Sequence, residues 1–406
     1  MSKRMKSLLS VLLLSVASLS GCGKETASTA NEKIETTESV QAEPAETTTQ
    51  STSDETEVDE VQQWLDNHTI EEKVAQLFII TPEALTGYNL VTEAGDTTRT
   101  AISQYPVGGL IYFAKNLENP EQTRTMLENT LAFYEEAGAM EPFLTVDEEG
   151  GRVARIGGNS AFGVEQVSCM YDIGQTGDVS LAAAAGVTIS DYLLDLGFNM
   201  DFAPVADVRS NPSNTVIGDR SFGSDPQLVA DMVIAEYNAM EEEGITPVIK
   251  HFPGHGDTAE DSHVGNAYTN KTLEELNECE LIPFQQAIDD GVQVIMVGHI
   301  STPNITDDGL PASLSSYMIN DLLRQQMGFD GVVVTDSFGM GAISQNYSSA
   351  DAAVMAINAG VDIILMPEDF YSAYNGVLAA VESGEISEER IDESVRRILE
   401  VKLHTN

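Results

Sequence analysis

Cysteine is scarce in this chain of 406 residues, which holds three: Cys22, Cys169 and Cys279. Their number excludes a disulfide framework, and their spacing matches no metal site. Basic residues are also few, 20 Lys and Arg against 65 Asp and Glu, for a formal charge of −45. A field of that sign repels phosphates and anionic lipid heads. Nucleic acid is therefore not an expected partner, and a neutral or cationic ligand is. The charge also keeps a chain soluble and carries no information on fold. Long apolar runs are missing except for "SLLSVLLLSVASLS" near the N-terminus, which is too short to span a bilayer and stay. No other run is long enough to predict a membrane crossing.

That apolar run follows Lys3, Arg4 and Lys6 and ends in "LSGC", Leu19 to Cys22. Basic start, apolar core and small-residue site read as an export signal over residues 1–21. The ending resembles a bacterial lipobox, in which the Cys becomes the lipidated N-terminus. Cys22 is then the expected lipidation site; an ordinary signal peptide with a stray Cys is the alternative. The mature chain is expected to be exported and held to the cell membrane by a lipid alone, facing the extracellular or cell-wall side. Residues 22–58, rich in Ser, Thr and Glu, lack the apolar surface to fold and read as a disordered linker. Residues 59–406 form the folded domain, with Cys169 and Cys279 expected as buried free thiols and a single bridge left open.

Within that domain eight short apolar runs alternate with stretches of helical period. They are "VAQLFII" (74–80), "VGGLIYF" (107–113), "PFLTVD" (142–147), "MDFAPVADV" (200–208), "TPVIKHF" (246–252), "VQVIMVGH" (292–299), "GVVVTD" (331–336) and "DIILMP" (362–367). Near-continuous apolar runs suit strands covered on both faces. "DPQLVADMVIAEYNAMEEEG" and "KTLEELNECELIPFQQAIDDG" read as helices with a Gly stop. Eight βα units predict an α/β domain of the (β/α)8 barrel type; an open doubly wound sheet is the alternative. Charged residues gather at the strand ends: Asp147-Glu148-Glu149, Lys250 with His251, His299 and Asp336. In a barrel that rim carries the active site.

The densest stretch is "KHFPGHGDTAEDSH", residues 250–263, which holds three of the chain's six histidines. With "DEEGGRVAR" (147–155), "IGDRSFG" (217–223) and "VVVTDSFGM" (332–340), it resembles the glycoside hydrolase family 3 barrel. The likeness is greatest to the β-N-acetylhexosaminidase branch, which removes N-acetylglucosamine and recycles peptidoglycan fragments. The motifs stand in the family's order from about residue 61 onward. The resemblance implies that Asp336 is a nucleophile forming a glycosyl-enzyme, a task that suits a carboxylate facing an oxocarbenium-like transition state. It implies His263 as acid/base with Asp261 as its partner; a carboxylate beside an imidazole orients it and raises its pKa. It implies that Asp147, Arg155, Arg220, Lys250 and His251 hold sugar hydroxyls. Carboxylates accept from hydroxyls, and Arg and Lys donate to them.

Other residues of these motifs have plainer readings. Arg152 is expected to brace the rim by ion pairing, and His255 and Asp257 to shape the loop. Pro253, Gly254 and Gly256 predict a loop able to carry His263 in and out. His299 is either a satisfied rim histidine or a substrate contact. No metal or other cofactor and no obligate protein partner is implied. The partner is an N-acetylglucosamine-containing glycan. Three rivals stand beside this reading. A metal site is disfavoured by H-x3-H and H-x7-H spacings in a Pro/Gly loop that cannot be a helix. A phosphorylase on the same scaffold would pass the sugar to phosphate, and a sugar-binding lipoprotein would need no nucleophile.

Overall fold

The computed structural model describes residues 59–258, 265 and 267–404. The expected signal segment, Cys22 and nearly all of the linker lie outside the described residues, as do Asp261 and His263. Each of the eight apolar runs yields a strand, shorter than the run itself. In chain order the strands are β1 (Phe78–Ile80), β2 (Gly109–Ile111), β3 (Phe143–Val146), β4 (Glu148–Gly150), β5 (Val153–Ala154), β6 (Met200–Asp201), β7 (Thr246–Pro247), β8 (Ile249–Phe252), β9 (Ala267–Tyr268), β10 (Val294–Val297), β11 (Ile300–Ser301), β12 (Val332–Thr335) and β13 (Ile364–Leu365).

The fold is α/β with parallel sheets. One has the order β13-β1-β2-β3-β6-β7 and the other β12-β10-β8. Isolated parallel bridges, Val205 with Lys250 and Val334 with Ile363, link strands of the two. The main strands are buried along their whole length, as their unbroken apolar sequences predict. β4 and β5 form a small antiparallel hairpin at the end of β3.

The first run is part helix. Thr69 and Glu72 form a capping box that starts helix Ile70–Gln76, so the strand begins only at Phe78. Helix Pro226–Glu243 matches its expected span, with Asp225 capping its start. The segment from Lys271 to Gly291 breaks into Leu273–Asn277 and Ile282–Asp290. Pro283 sits in the first turn of the second piece, where its missing N–H costs nothing.

Helix Val179–Leu196 is long and apolar enough, by length and composition alone, to cross a membrane, which the sequence reading did not anticipate. It packs on helix Pro226–Glu243: a Cβ on Gly186 would meet the Glu236 carbonyl oxygen at 2.7 Å. Cys169 and Cys279 are both free, and half-buried rather than buried.

Candidate active site

The C-terminal ends of the strands open into a cavity of about 760 Å³. Asp147 follows β3, Glu149 lies in β4 and Arg155 follows β5. Arg220 ends a 3-10 turn, Gly218–Arg220, and Asp336 follows β12. Lys250 and His251 are neighbours in β8, yet both line the cavity with the rest. The β8–β10 register explains this. Ile249 and Phe252 pair with Ile295 and Val297, so three steps on β8 face two on β10, and the extra residue turns two adjacent side chains inward. An apolar wall of Ile111, Phe113, Met296, Met340, Leu365 and Met366 completes the lining. Met366 has φ 50°, a left-handed conformation uncommon outside Gly.

The charged groups are interlocked. Lys250 Nζ lies 2.9 Å from Asp147 Oδ1 and 2.6 Å from Glu149 Oε1. Arg220 grips Glu149 with two nitrogens, each at 2.7 Å. Arg155 reaches Asp147 at 3.5 Å. Burial works against a charge on Glu149, but Arg220 and Lys250 prevail and hold its carboxyl well below the usual range. Burial likewise opposes the Lys250 ammonium, and Asp147 and Glu149 raise its pKa nonetheless. An ammonium has three N–H donors; among the described residues these carboxylates take two.

Asp207 is fully buried and lies 2.7 Å from His251 Nδ1. Its desolvation is outweighed by His251, so its carboxyl stays below the ordinary value. A carboxylate only accepts, so Nδ1 carries a hydrogen; Arg220 Nη2 lies 3.5 Å from Nε2. At Asp336 the backbone N–H donates to the Val297 carbonyl at 2.9 Å, and Oδ1 accepts from the Ser337 N–H at 2.7 Å. His299 stands behind this turn, with Nε2 2.9 Å from the Ser337 carbonyl and Nδ1 2.8 Å from Ser313 Oγ.

The family described as glycosyl hydrolase family 3 N terminal domain matches residues 69–401. The chain belongs to glycosyl hydrolase family 3. Among curated relatives, beta-hexosaminidase A of Pseudoalteromonas piscicida is 34% identical over 325 residues, 74% of this chain and 54% of its own length. Beta-hexosaminidase LpqI of Mycobacterium tuberculosis is 34% identical over 340 residues, 82% of each chain. A solved family 3 beta-N-acetylglucosaminidase from Paenibacillus sp. str. FPU-7 superposes with a TM-score of 0.79 at 40% identity, covering 83% of this chain and 63% of that one. The chain thus spans only about half the length of the first relative.

In this family 3 chain the structure brings together six of the eight sugar-site and catalytic residues picked from sequence: Asp147, Arg155, Arg220, Lys250, His251 and Asp336. The other two, Asp261 and His263, fall outside the described residues. Arg152 braces the rim as expected. It pairs with Asp219 at 2.9 Å and donates to the carbonyls of Thr215, Val216 and Ile217. His299 supports the turn after Asp336 and is absent from the cavity lining.

Sequence reasoning gave no site role to three acids. Glu149 was legible as the second residue after Asp147 in "DEEGG", the alternation that returns a side chain to the same face. Asp207 ends the apolar run "PVAD" as Asp336 ends its own run. Glu148 accepts the backbone N–H groups of Arg155, Ile156 and Gly157 and the Tyr192 hydroxyl. It thereby fixes the hairpin end that carries Arg155.

Proposed function

We propose that this chain is an exo-acting, retaining β-N-acetylglucosaminidase that removes terminal non-reducing N-acetylhexosamine from peptidoglycan-type fragments or chitooligosaccharides. The observation that carries it is a carboxylate, Asp336, on one cavity with Asp147, Arg155, Arg220, Lys250 and His251, side chains whose chemistry suits sugar hydroxyls. The acetamido sugar is supported by the Paenibacillus relative's activity. Asp336 attacks the anomeric carbon, and His263, oriented by Asp261, protonates the departing oxygen. His263 then takes a proton from the water that opens the glycosyl-enzyme, so configuration is retained. These residues supply nucleophile and acid/base from the chain itself, so the scheme uses no cofactor.

Two further parts belong to the same reading. The two parallel sheets with their linking bridges support a single (β/α)8 barrel, whose C-terminal rim is the ordinary place for such a cavity. The "LSGC" segment supports a mature chain exported and tethered through lipid on Cys22.

The test is release of nitrophenol from the β-N-acetylglucosaminide and from the plain β-glucoside. Release from the acetamido sugar alone is expected. Release from the glucoside alone would overturn the sugar assignment, and release from neither would overturn the activity.

A further inference from the structure

Glu148 and Glu149 are neighbours in β4, and successive side chains leave a strand on opposite faces. Glu149 lines the cavity, whereas Glu148 is absent from that lining and fully buried. Glu148 faces Tyr192 on helix Val179–Leu196 and the turn that follows β5. Its Oε2 accepts the backbone N–H groups of Arg155 at 2.6 Å and Ile156 at 2.9 Å. Its Oε1 accepts the Gly157 N–H at 2.8 Å and the Tyr192 hydroxyl at 2.9 Å. Three successive backbone N–H groups thus close around one carboxylate, an arrangement suited to an anion. The fit is close: a Cβ on Gly157 would stand 3.0 Å from Oε1 and 3.4 Å from the Tyr192 oxygen.

Arg155 opens that turn, and of the four cavity cations its side chain is held most loosely. Arg220 has two bonds of 2.7 Å to Glu149, Lys250 has carboxylates at 2.6 and 2.9 Å, and Arg152 has Asp219 at 2.9 Å. Arg155 reaches Asp147 only at 3.5 Å, well beyond a close charged hydrogen bond of about 2.8 Å. Its guanidinium carbon lies 5.9 Å from the centre of the Phe113 ring. Its buried Nε has no hydrogen-bond partner among the described residues. Side-chain contacts therefore do little to place this guanidinium, and its backbone does most. That backbone is where Glu148 acts.

We infer that Glu148 is a positioning residue for the sugar site: from behind β4 it holds the turn from Arg155 to Gly157, and so sets where the Arg155 guanidinium meets the ligand. The inference deepens the glycosidase reading and rests on Arg155 binding the sugar. It gives Glu148 no contact with substrate.

The experiment is a double-mutant cycle in the full chain: unaltered, Glu148→Gln, Arg155→Ala and both together. Gln keeps the size of Glu, but it accepts at one oxygen only and turns an NH2 toward the other donors. Affinity for N-acetylglucosamine is titrated by calorimetry, and KM for the nitrophenyl glycoside is measured beside it. Glu148→Gln alone is expected to weaken both about tenfold, the scale of one hydrogen bond to a charged group. In the Arg155→Ala background the same change is expected to weaken them less than about twofold, because the group it places is gone. A residue serving only the stability of the fold, or acting through Glu149 beside it, would cost the same in both backgrounds.

Tyr192→Phe is the second variant, since it removes one donor from Glu148 and keeps the ring. It is expected to weaken affinity about threefold, again only while Arg155 is present. Equal losses in the two backgrounds would overturn the inference, as would a folded Glu148→Gln that binds the sugar as the unaltered chain does. If Glu148→Gln does not fold, a Tyr192→Phe with no loss, or with the same loss in the absence of Arg155, overturns it. An Arg155→Ala that binds the sugar normally would overturn it too. A chain that binds the sugar and shows this cycle but hydrolyses nothing would overturn the activity and leave the inference standing.

Discussion

The Asp207 carboxylate holds His251 and the loop beyond it at once: Oδ2 lies 2.7 Å from His251 Nδ1, while Oδ1 accepts the His255 backbone N–H at 2.6 Å. One buried acid thus orients a cavity imidazole and anchors the first turn of the loop that leaves β8. Nε2 is the His251 nitrogen left toward the cavity.

Asp207→Asn replaces an acceptor-only group by an amide whose nitrogen cannot accept from both partners. Hydrogen bonds to a charged group contribute about 1.5–3 kcal/mol, so kcat/KM is expected to fall about ten- to a hundredfold. The loss should lie mainly in KM, because the role proposed for His251 is to bind substrate rather than to react. Steady-state kinetics on an N-acetylglucosaminide checks this; a purely structural role would lower the active fraction and leave KM unchanged.

Glu236 gives a pH dependence with a definite sign. It is fully buried on helix Pro226–Glu243, and neither carboxyl oxygen has a hydrogen-bond partner among the described residues. Tyr192 on the facing helix and Glu149 at the cavity floor are the ionisable groups coupled to it. Burial, and then Glu149, push its pKa up to about 8 from 4.5. Above pH 4.5 the unfolded chain releases this proton and the folded chain keeps it. Its contribution to stability is therefore complete below pH 4.5, falls as pH rises, and is gone above pH 8. Glu236→Gln should gain on the unaltered chain by about 1.4 kcal/mol per pH unit at most across that window. Denaturant unfolding at pH 5, 6.5 and 8 measures it, and parallel curves would contradict it.

Gly256 is expected to tolerate no side chain. A Cβ there would drive into the backbone carbonyl of Val208. The Gly256 carbonyl also accepts the Asn211 N–H at 3.2 Å. Gly256→Ala should cost about 3 kcal/mol, toward the upper end of single substitutions, read as a shifted denaturation midpoint at unchanged slope.

His263→Ala is expected to reduce turnover of natural oligosaccharides far more than that of nitrophenyl glycosides. Activated aryl groups depart with little help from an acid, whereas sugar hydroxyls need a proton. Comparing the two substrate types measures the difference, and equal losses would contradict the acid role.

Much of the fold was legible because strands buried on both faces leave unbroken apolar runs, and all eight runs became strands. Their lengths were not, since "VAQLFII" and "MDFAPVADV" carry as much loop or helix as strand. The rim residues could be read because Asp147, Lys250, His251 and Asp336 stand at strand ends. Glu149 and Asp207 could not be read as easily: their roles lie in pairing with Arg220, Lys250 and His251, partners 71, 101 and 44 positions away in the chain. The glycines of "PGHGDT" predicted a loop free to move. In its described part His255 donates its backbone N–H to Asp207, and the Asn214 side chain donates to the His255 carbonyl at 2.8 Å. There the glycines permit close packing.

The most direct test of the account is to trap the glycosyl-enzyme. The full chain is incubated with a fluorinated N-acetylglucosaminyl donor whose second step is slow, then digested and its peptides weighed. The account predicts one sugar on the peptide spanning "VVVTDSFGM", attached at Asp336 and missing from Asp336→Ala. Turnover without any adduct, or an adduct on another residue, would contradict it.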